Sequence, residues 1–292
     1  MRLAAICATA LVIGGCGADD AANEIRDTVD PVAEAADKMA DAGGARVDGD
    51  MTVTSGKLEF AMRMDGAVSF EDHEAQFVMD YADNPIPGAT AKDLEAARRE
   101  ADFPVRMVQS TEETYVSTPS VVREGREDGI RWLKIDHEKV DEAGGLDFSG
   151  VNQMSEINPN AMLRFLRTVA DARETGTRRI DGTPTTRYTA SVDLRDYPET
   201  VEPDKREAAQ RTVDALIEIW GSPTHRVHVW IDEDGLIRRE EMTFSFTEAG
   251  EKSDARLVLD FLDVGTPQEI ALPDGDEAYD ISDEVAEQLG ED

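Results

Sequence analysis

The apolar positions begin as an unbroken run and then settle into two spacings, one helical and one of strands. Leu3 to Ile13 are almost purely apolar, and no later segment approaches the roughly 20 apolar residues that a membrane-spanning helix needs. Asp30 can cap a helix with Pro31 at its first position, running to about Ala42 and stopped by Gly43-Gly44. From Arg46 the period becomes two. In KLEFAMRM, Leu58, Phe60, Met62 and Met64 share one face, while Lys57, Glu59 and Arg63 take the other. AQFVMDY repeats the pattern with Phe77, Met79 and Tyr81. The loop ADNPIPGAT leads to a short charged helix near Lys92 to Ala101. VRMVQS, ETYVSTP and RWLKID read as strands, the first two as a hairpin.

The second half repeats this alternation. Asn158-Pro159 begins a helix in which Met162, Phe165, Leu166 and Val169 form one apolar stripe. TGTRRI and PTTRYTASVDL are strands joined by Asp181-Gly182, a hairpin turn. Pro203 starts a helix with Ala209, Val213, Leu216, Ile217 and Trp220 on one face, and Gly221 ends it. HRVHVWIDEDGLIRREEMTFSF is a strand, a turn at Asp234-Gly235 and a strand, and ARLVLDFLDV is a last long strand. About ten strands joined mostly by hairpins, with two firm helices between them, predict one α+β domain on a large antiparallel sheet. The acidic tail, 274–292, has a weak helical pattern and is expected to be peripheral.

The opening run now has a meaning. Arg2 precedes it, and Gly14, Gly15 and Cys16 follow, the arrangement of an export signal. IGGC is similar to a bacterial lipobox, so residues 1–15 read as a lipoprotein signal peptide and Cys16 as the site of lipid attachment. Residues 16–30 are a small, acidic tether to a domain over 31–273. The two cysteines are then both accounted for: Cys7 leaves with the signal and Cys16 is acylated, with palmitate among its chains. A domain without a thiol or disulfide depends on its core for stability.

Charge narrows the partners. With 63 acidic against 30 basic residues the formal net charge is -33. Such a surface disfavours nucleic acid and any electrostatic grip on anionic headgroups. The membrane partner is reached through the N-terminal lipid instead. No catalytic constellation stands out: Ser149, Ser155 and Ser222 lack a nucleophile-elbow context. Pairs such as Glu112-Glu113 and Glu240-Glu241 are expected by chance in so acidic a chain. His225 and His228 fall in a strand pattern, where a spacing of three points them to opposite faces, so rim or solvent positions are expected rather than a metal site. Asp232 to Gly235, DEDG, lacks the spaced ligands of a calcium loop and is explained as a hairpin turn.

Three segments carry a resemblance: GIRWLKID (129–136), ETGTRRIDGTPTTRYTASVDL (174–194) and VHVWIDEDGLIRREEMTFSF (227–246). Together they resemble actinobacterial surface lipoproteins of the LolA/LppX/LprG-like superfamily, over about Ala36 to Pro273. The resemblance implies a strongly curved antiparallel sheet, a half-barrel, with helices packed on its concave side. It implies an apolar space between them for a lipid or a lipoprotein acyl chain; the lack of a catalytic constellation predicts no enzymatic activity, and no cofactor is expected. Candidate ligand-facing residues are Phe60, Met62, Met64, Phe77, Met79, Tyr81, Phe165, Leu216, Trp220, Phe244 and Phe246. Methionine, flexible and polarizable, suits such a wall. The same stripes serve a filled core, so the residues alone leave both a cavity and a filled core open. The expectation is a monomeric, lipid-anchored protein on the extracytoplasmic face of the cell membrane that carries a lipid. The alternative is an envelope scaffold with a filled core and no ligand.

Overall fold

The computed structural model describes residues 30–56, 58–81, 92, 95–96, 99, 102–144, 159–169, 171–201, 203, 206–248 and 251–290. Cys7, Cys16, the signal and most of the tether lie outside them, as does much of the expected 92–101 helix. The first half is a meander: β1 (Gly44–Ser55), β2 (Leu58–Ser69), β3 (Glu74–Tyr81), β4 (Val105–Gln109), β5 (Glu113–Ser117) and β6 (Trp132–Asp136). The second is another: β7 (Arg173–Ile180), β8 (Thr183–Asp193), β9 (Thr224–Asp232), β10 (Ile237–Glu248) and β11 (Glu251–Leu262). The two join where β1 pairs β11 antiparallel from Arg46↔Leu262 to Ser55↔Ser253. The result is one open, curved sheet in the order β12-β6-β5-β4-β3-β2-β1-β11-β10-β9-β8-β7.

Its edge strand β12 (Ala278–Asp280) corrects the reading of the tail. It lies parallel to β6, with Ala278 opposite Trp132, and it is followed by a helix that packs on the domain. Ser282 fastens this edge, because its hydroxyl accepts the Asp136 N–H at 2.8 Å. Three residues with no apolar period of their own become a strand because β6 offers an unpaired edge.

Alternation gives the sheet two chemically distinct faces. On the convex face Asp65, Asp48, Asp260 and Arg239 stand opposite one another across β2, β1, β11 and β10. Arg239 clamps Asp260 with two nitrogens, and Arg256 reaches Glu241 at 2.7 Å. Desolvation, and then the neighbouring Asp65, raise the Asp48 carboxyl above the usual carboxylate range. The concave face is apolar and carries the helices. These are α1 (Pro31–Ala40), α4 (Pro159–Leu166) and α5 (Arg206–Trp220). The short helices α2 (Pro119–Glu124), α3 (His137–Gly144) and α6 (Ser282–Gly290) belong to the β6 end.

Helix α1 buries Val32, Ala35, Ala36 and Met39, and it packs against β9, β10 and α4. Asp30 caps it by accepting the Val32 N–H at 2.9 Å, and its other oxygen accepts the Ala172 N–H at 2.8 Å. Arg167 reaches Asp37 of α1 at 2.9 Å. In α5 the expected face is the buried one, with Ala209, Val213, Leu216 and Trp220 all inside. That helix starts at Arg206, three residues beyond Pro203, after a 3-10 turn over Leu194–Glu199. In α4 the stripe of Phe165, Leu166 and Val169 is buried, Val169 standing just past the helix end, while the Met162 side chain lies outside the described residues.

Asp30 joins two distant segments with one carboxylate. D30A is expected to cost about 1–2 kcal/mol for the cap alone, read as a lower urea midpoint with an unchanged slope.

Candidate apolar ligand site

The register shows what the concave face contains. Met79, Met64, Gly49 and Leu259 are opposed in turn from β3 to β11. The row continues through Glu240 of β10 and Val229 of β9. The next row runs Tyr81, Met62, Met51, Leu257, Met242 and Val227. A third has Phe60, Val53, Ala255 and Phe244. Phe77 lies over Gly66, where a Cβ would stand 2.2 Å from the Gln76 carbonyl and 2.3 Å from the Phe77 ring, so only glycine permits this approach.

The eleven candidate ligand-facing residues therefore belong to one face or to helices turned towards it, but they divide. Met64, Phe77, Phe165, Leu216, Trp220 and Phe244 are fully buried within the continuous core beneath α1, α4 and α5. Trp220 of α5 sits 5.3 Å from Phe244, centre to centre, and Phe165 sits 5.5 Å from Tyr197. Phe60, Met62, Met79, Tyr81 and Phe246 are only half-buried. Four of these five lie on β2 and β3, beside half-buried Met51 of β1 and Phe103, whose ring is 4.9 Å from that of Tyr81. The face is a packed core at one side and a partly open apolar strip at the other. Met51 and Phe103 join the strip beyond the residues the sequence pattern predicts. Met51 was in phase with its neighbours, while Phe103 reaches Tyr81 only through the fold.

One residue breaks the chemistry of this face. Glu240 is fully buried, and neither carboxyl oxygen has a hydrogen-bond partner among the described residues. Burial pushes its carboxyl up to about 8, with no contribution from a neighbouring charge. Its position is visible in the strand period, since Glu240 is in phase with Met242, Phe244 and Phe246, although in so acidic a chain it reads as half of a chance pair.

The other polar candidates have structural work. His225 and His228 point to opposite faces of β9. His225 is buried against the edge of Trp220, its Nε2–H donating to the Ser222 carbonyl at 2.9 Å, and burial lowers its pKa. His228 shares a 2.8 Å hydrogen bond with Thr189 on the convex side. Asp232 closes the hairpin turn by accepting the N–H groups of Asp234 and Leu236 at 3.0 and 2.9 Å, and it pairs with Arg238 at 2.6 Å. In the β5–β6 cluster, Glu113 is held below the usual carboxylate range against its own desolvation, by hydrogen bonds from Lys134 and Tyr115. Among the described residues no group of three or more His, Cys, Asp or Glu could hold a metal ion, and no helix is long and apolar enough to cross a membrane.

Among solved structures, the chain is similar to the lipoprotein LppX of Mycobacterium tuberculosis, with 15% identity, a TM-score of 0.42, and coverage of 83% of this chain and 100% of that one. It is also similar to LprF from Mycobacterium bovis, at 12% identity and a TM-score of 0.44, covering 87% of this chain and 98% of that one. No protein-family model and no curated protein matches the chain. LppX belongs to the group that the strand motifs resemble. At these identities and scores the likeness contributes nothing to the choice of ligand, which rests on the geometry above.

The buried acid has a measurable signature. Its folded pKa is raised above its unfolded value, so the fold holds a proton that the unfolded chain has lost. Its contribution to stability is therefore full at acid pH, below the ordinary glutamate range, and declines as pH rises towards 8. E240Q, which cannot ionise, is expected to remove this decline. Urea midpoints of both proteins between pH 5 and 8 should converge at the acid end and diverge at the alkaline end.

Proposed function

We propose that the chain is a non-enzymatic envelope lipoprotein, anchored through Cys16 on the extracytoplasmic side of a membrane, whose concave face binds an acyl lipid between sheet and helices. The observation that supports this reading is the half-buried apolar strip of Met51, Phe60, Met62, Met79, Tyr81 and Phe103. A filled core would bury these side chains, and a soluble surface would not gather them. Hydrocarbon laid on the strip gains about 25 cal/mol for each Å² removed from water. Four of the six are methionine or tyrosine on adjoining strands in register, a surface able to adapt to chains of differing shape. Residues 16–30 act as the tether that keeps the site near its donor membrane while the acidic surface keeps it off the bilayer plane.

A second reading, an interaction scaffold with no ligand, is favoured by one observation. The half of the concave face beneath α1, α4 and α5 is continuous core. The two readings separate on lipid content.

Native mass spectrometry of the chain carrying C16S, purified from a bacterial periplasm, is expected to show near-stoichiometric lipid that survives gel filtration. A lipid-free mass that takes up nothing from added phospholipid supports the scaffold. M62K, placed on the half-open strip, is expected to lower lipid retention roughly tenfold while moving the urea midpoint little, because its ammonium can reach water. Cys16→Ser is expected to abolish palmitate labelling and release the protein from the membrane fraction.

A further inference from the structure

Glu240 stands on the same face as the proposed lipid wall, in a row whose neighbours are Leu259 and Val229. Helix α1 packs on the β9–β10 pair from above and presents only Val32, Ala35, Ala36 and Met39 as its buried residues. The charges of that helix are occupied elsewhere: Lys38 pairs with Glu34 at 3.2 Å, and Asp37 with Arg167 at 2.9 Å. Desolvation alone acts on the Glu240 carboxyl, and no donor or acceptor among the described residues meets it. A buried carboxyl without a partner destabilises the empty protein, whereas a leucine there would simply pack.

Building on the lipid-binding reading, we propose that Glu240 is the polar anchor of the interior ligand, hydrogen-bonding an ester carbonyl or hydroxyl of a neutral acylglycerol whose chains lie along the apolar strip. The way in from the strip crosses Gly49, two strands from Glu240, or roughly 10 Å at the usual strand spacing. A Cβ at Gly49 would stand 2.9 Å from Met64 Cε and 3.2 Å from Leu259 Cδ2. Two flexible side chains thus lie over bare backbone at this point and fill the space that a chain would need. Met64 has the rotamer freedom to withdraw. Held neutral by its burial, Glu240 offers one O–H donor and one carbonyl acceptor. That pair matches an ester or a hydroxyl. It does not match the carboxylate of a free fatty acid, which would set a second acid beside a buried one.

The test compares uptake of 1,2-dioleoylglycerol and of n-hexadecane, a hydrocarbon with no polar atom, by the full chain carrying C16S. Wild-type Glu240, E240Q and E240L are measured by native mass spectrometry. E240L is expected to bind dioleoylglycerol about tenfold more weakly and hexadecane unchanged, and to melt at a higher temperature without lipid. E240Q keeps a donor and an acceptor and should stay within about twofold of wild type. In wild type the infrared ester band of bound dioleoylglycerol should shift to lower frequency, a readout that depends on no variant folding. Equal dioleoylglycerol binding by E240L, or an unshifted ester band, overturns the anchor while leaving a lipid-binding interior. Uptake of neither probe by wild type overturns both the anchor and the lipid-binding function.

Discussion

The ladder between β1 and β11 is the constraint on which the rest depends. It pairs the first strand of the domain with the last long one, and Arg46 and Asp263, 217 positions apart, meet across it at 3.4 Å. Each meander can form from local hairpins, but neither has a covered apolar face until this pairing sets them side by side. Closing so long a loop costs only about 0.6 kcal/mol more than closing one half its length. The ten residue pairs that follow fix the register, and a slip of one residue would turn Val47, Met51 and Val53 to the charged side.

With the register set, each face follows its own chemistry. The convex side carries rows of opposed charge that remain hydrated, where ion pairs contribute little individually. On the concave side the helices pack on β8, β9 and β10, and the side chains over β2 and β3 stay half-buried. Glu240 lies within the covered part, and Met79 and Tyr81 lie in the other. Gly49 and Met64 occupy the ground between. A packed interior and an apolar strip open to solvent are thus two ends of a single surface.

Local signals were readable from residues alone. Asp181-Gly182 marked a two-residue hairpin, in which both residues take positive φ, and Gly235 marked the longer β9–β10 turn by its own positive φ. The α5 stripe was readable because its period spans four turns. The union of β1 with β11 was not, because nothing local encodes a pairing between the two ends of a domain. Nor was β12, whose strand character comes from the exposed edge of β6. Within the site, every apolar candidate was in phase, yet which would be buried depended on where the helices landed. Trp220 settled on Phe244, not on Phe60, and that choice is tertiary. Glu240 was legible by period and obscured by composition, since one acid among 63 attracts no notice.

The double hold of Asp30 has a mechanical consequence. Its carboxylate fastens the start of α1 to the start of the β7 segment, so a pull on the chain ahead of it meets two hydrogen bonds together. While both bonds hold, the load divides between α1 and the segment that opens β7. Tension on the chain ahead of Asp30 would therefore be shared by a helix and an edge strand, and losing the clasp would leave the helix to bear it alone.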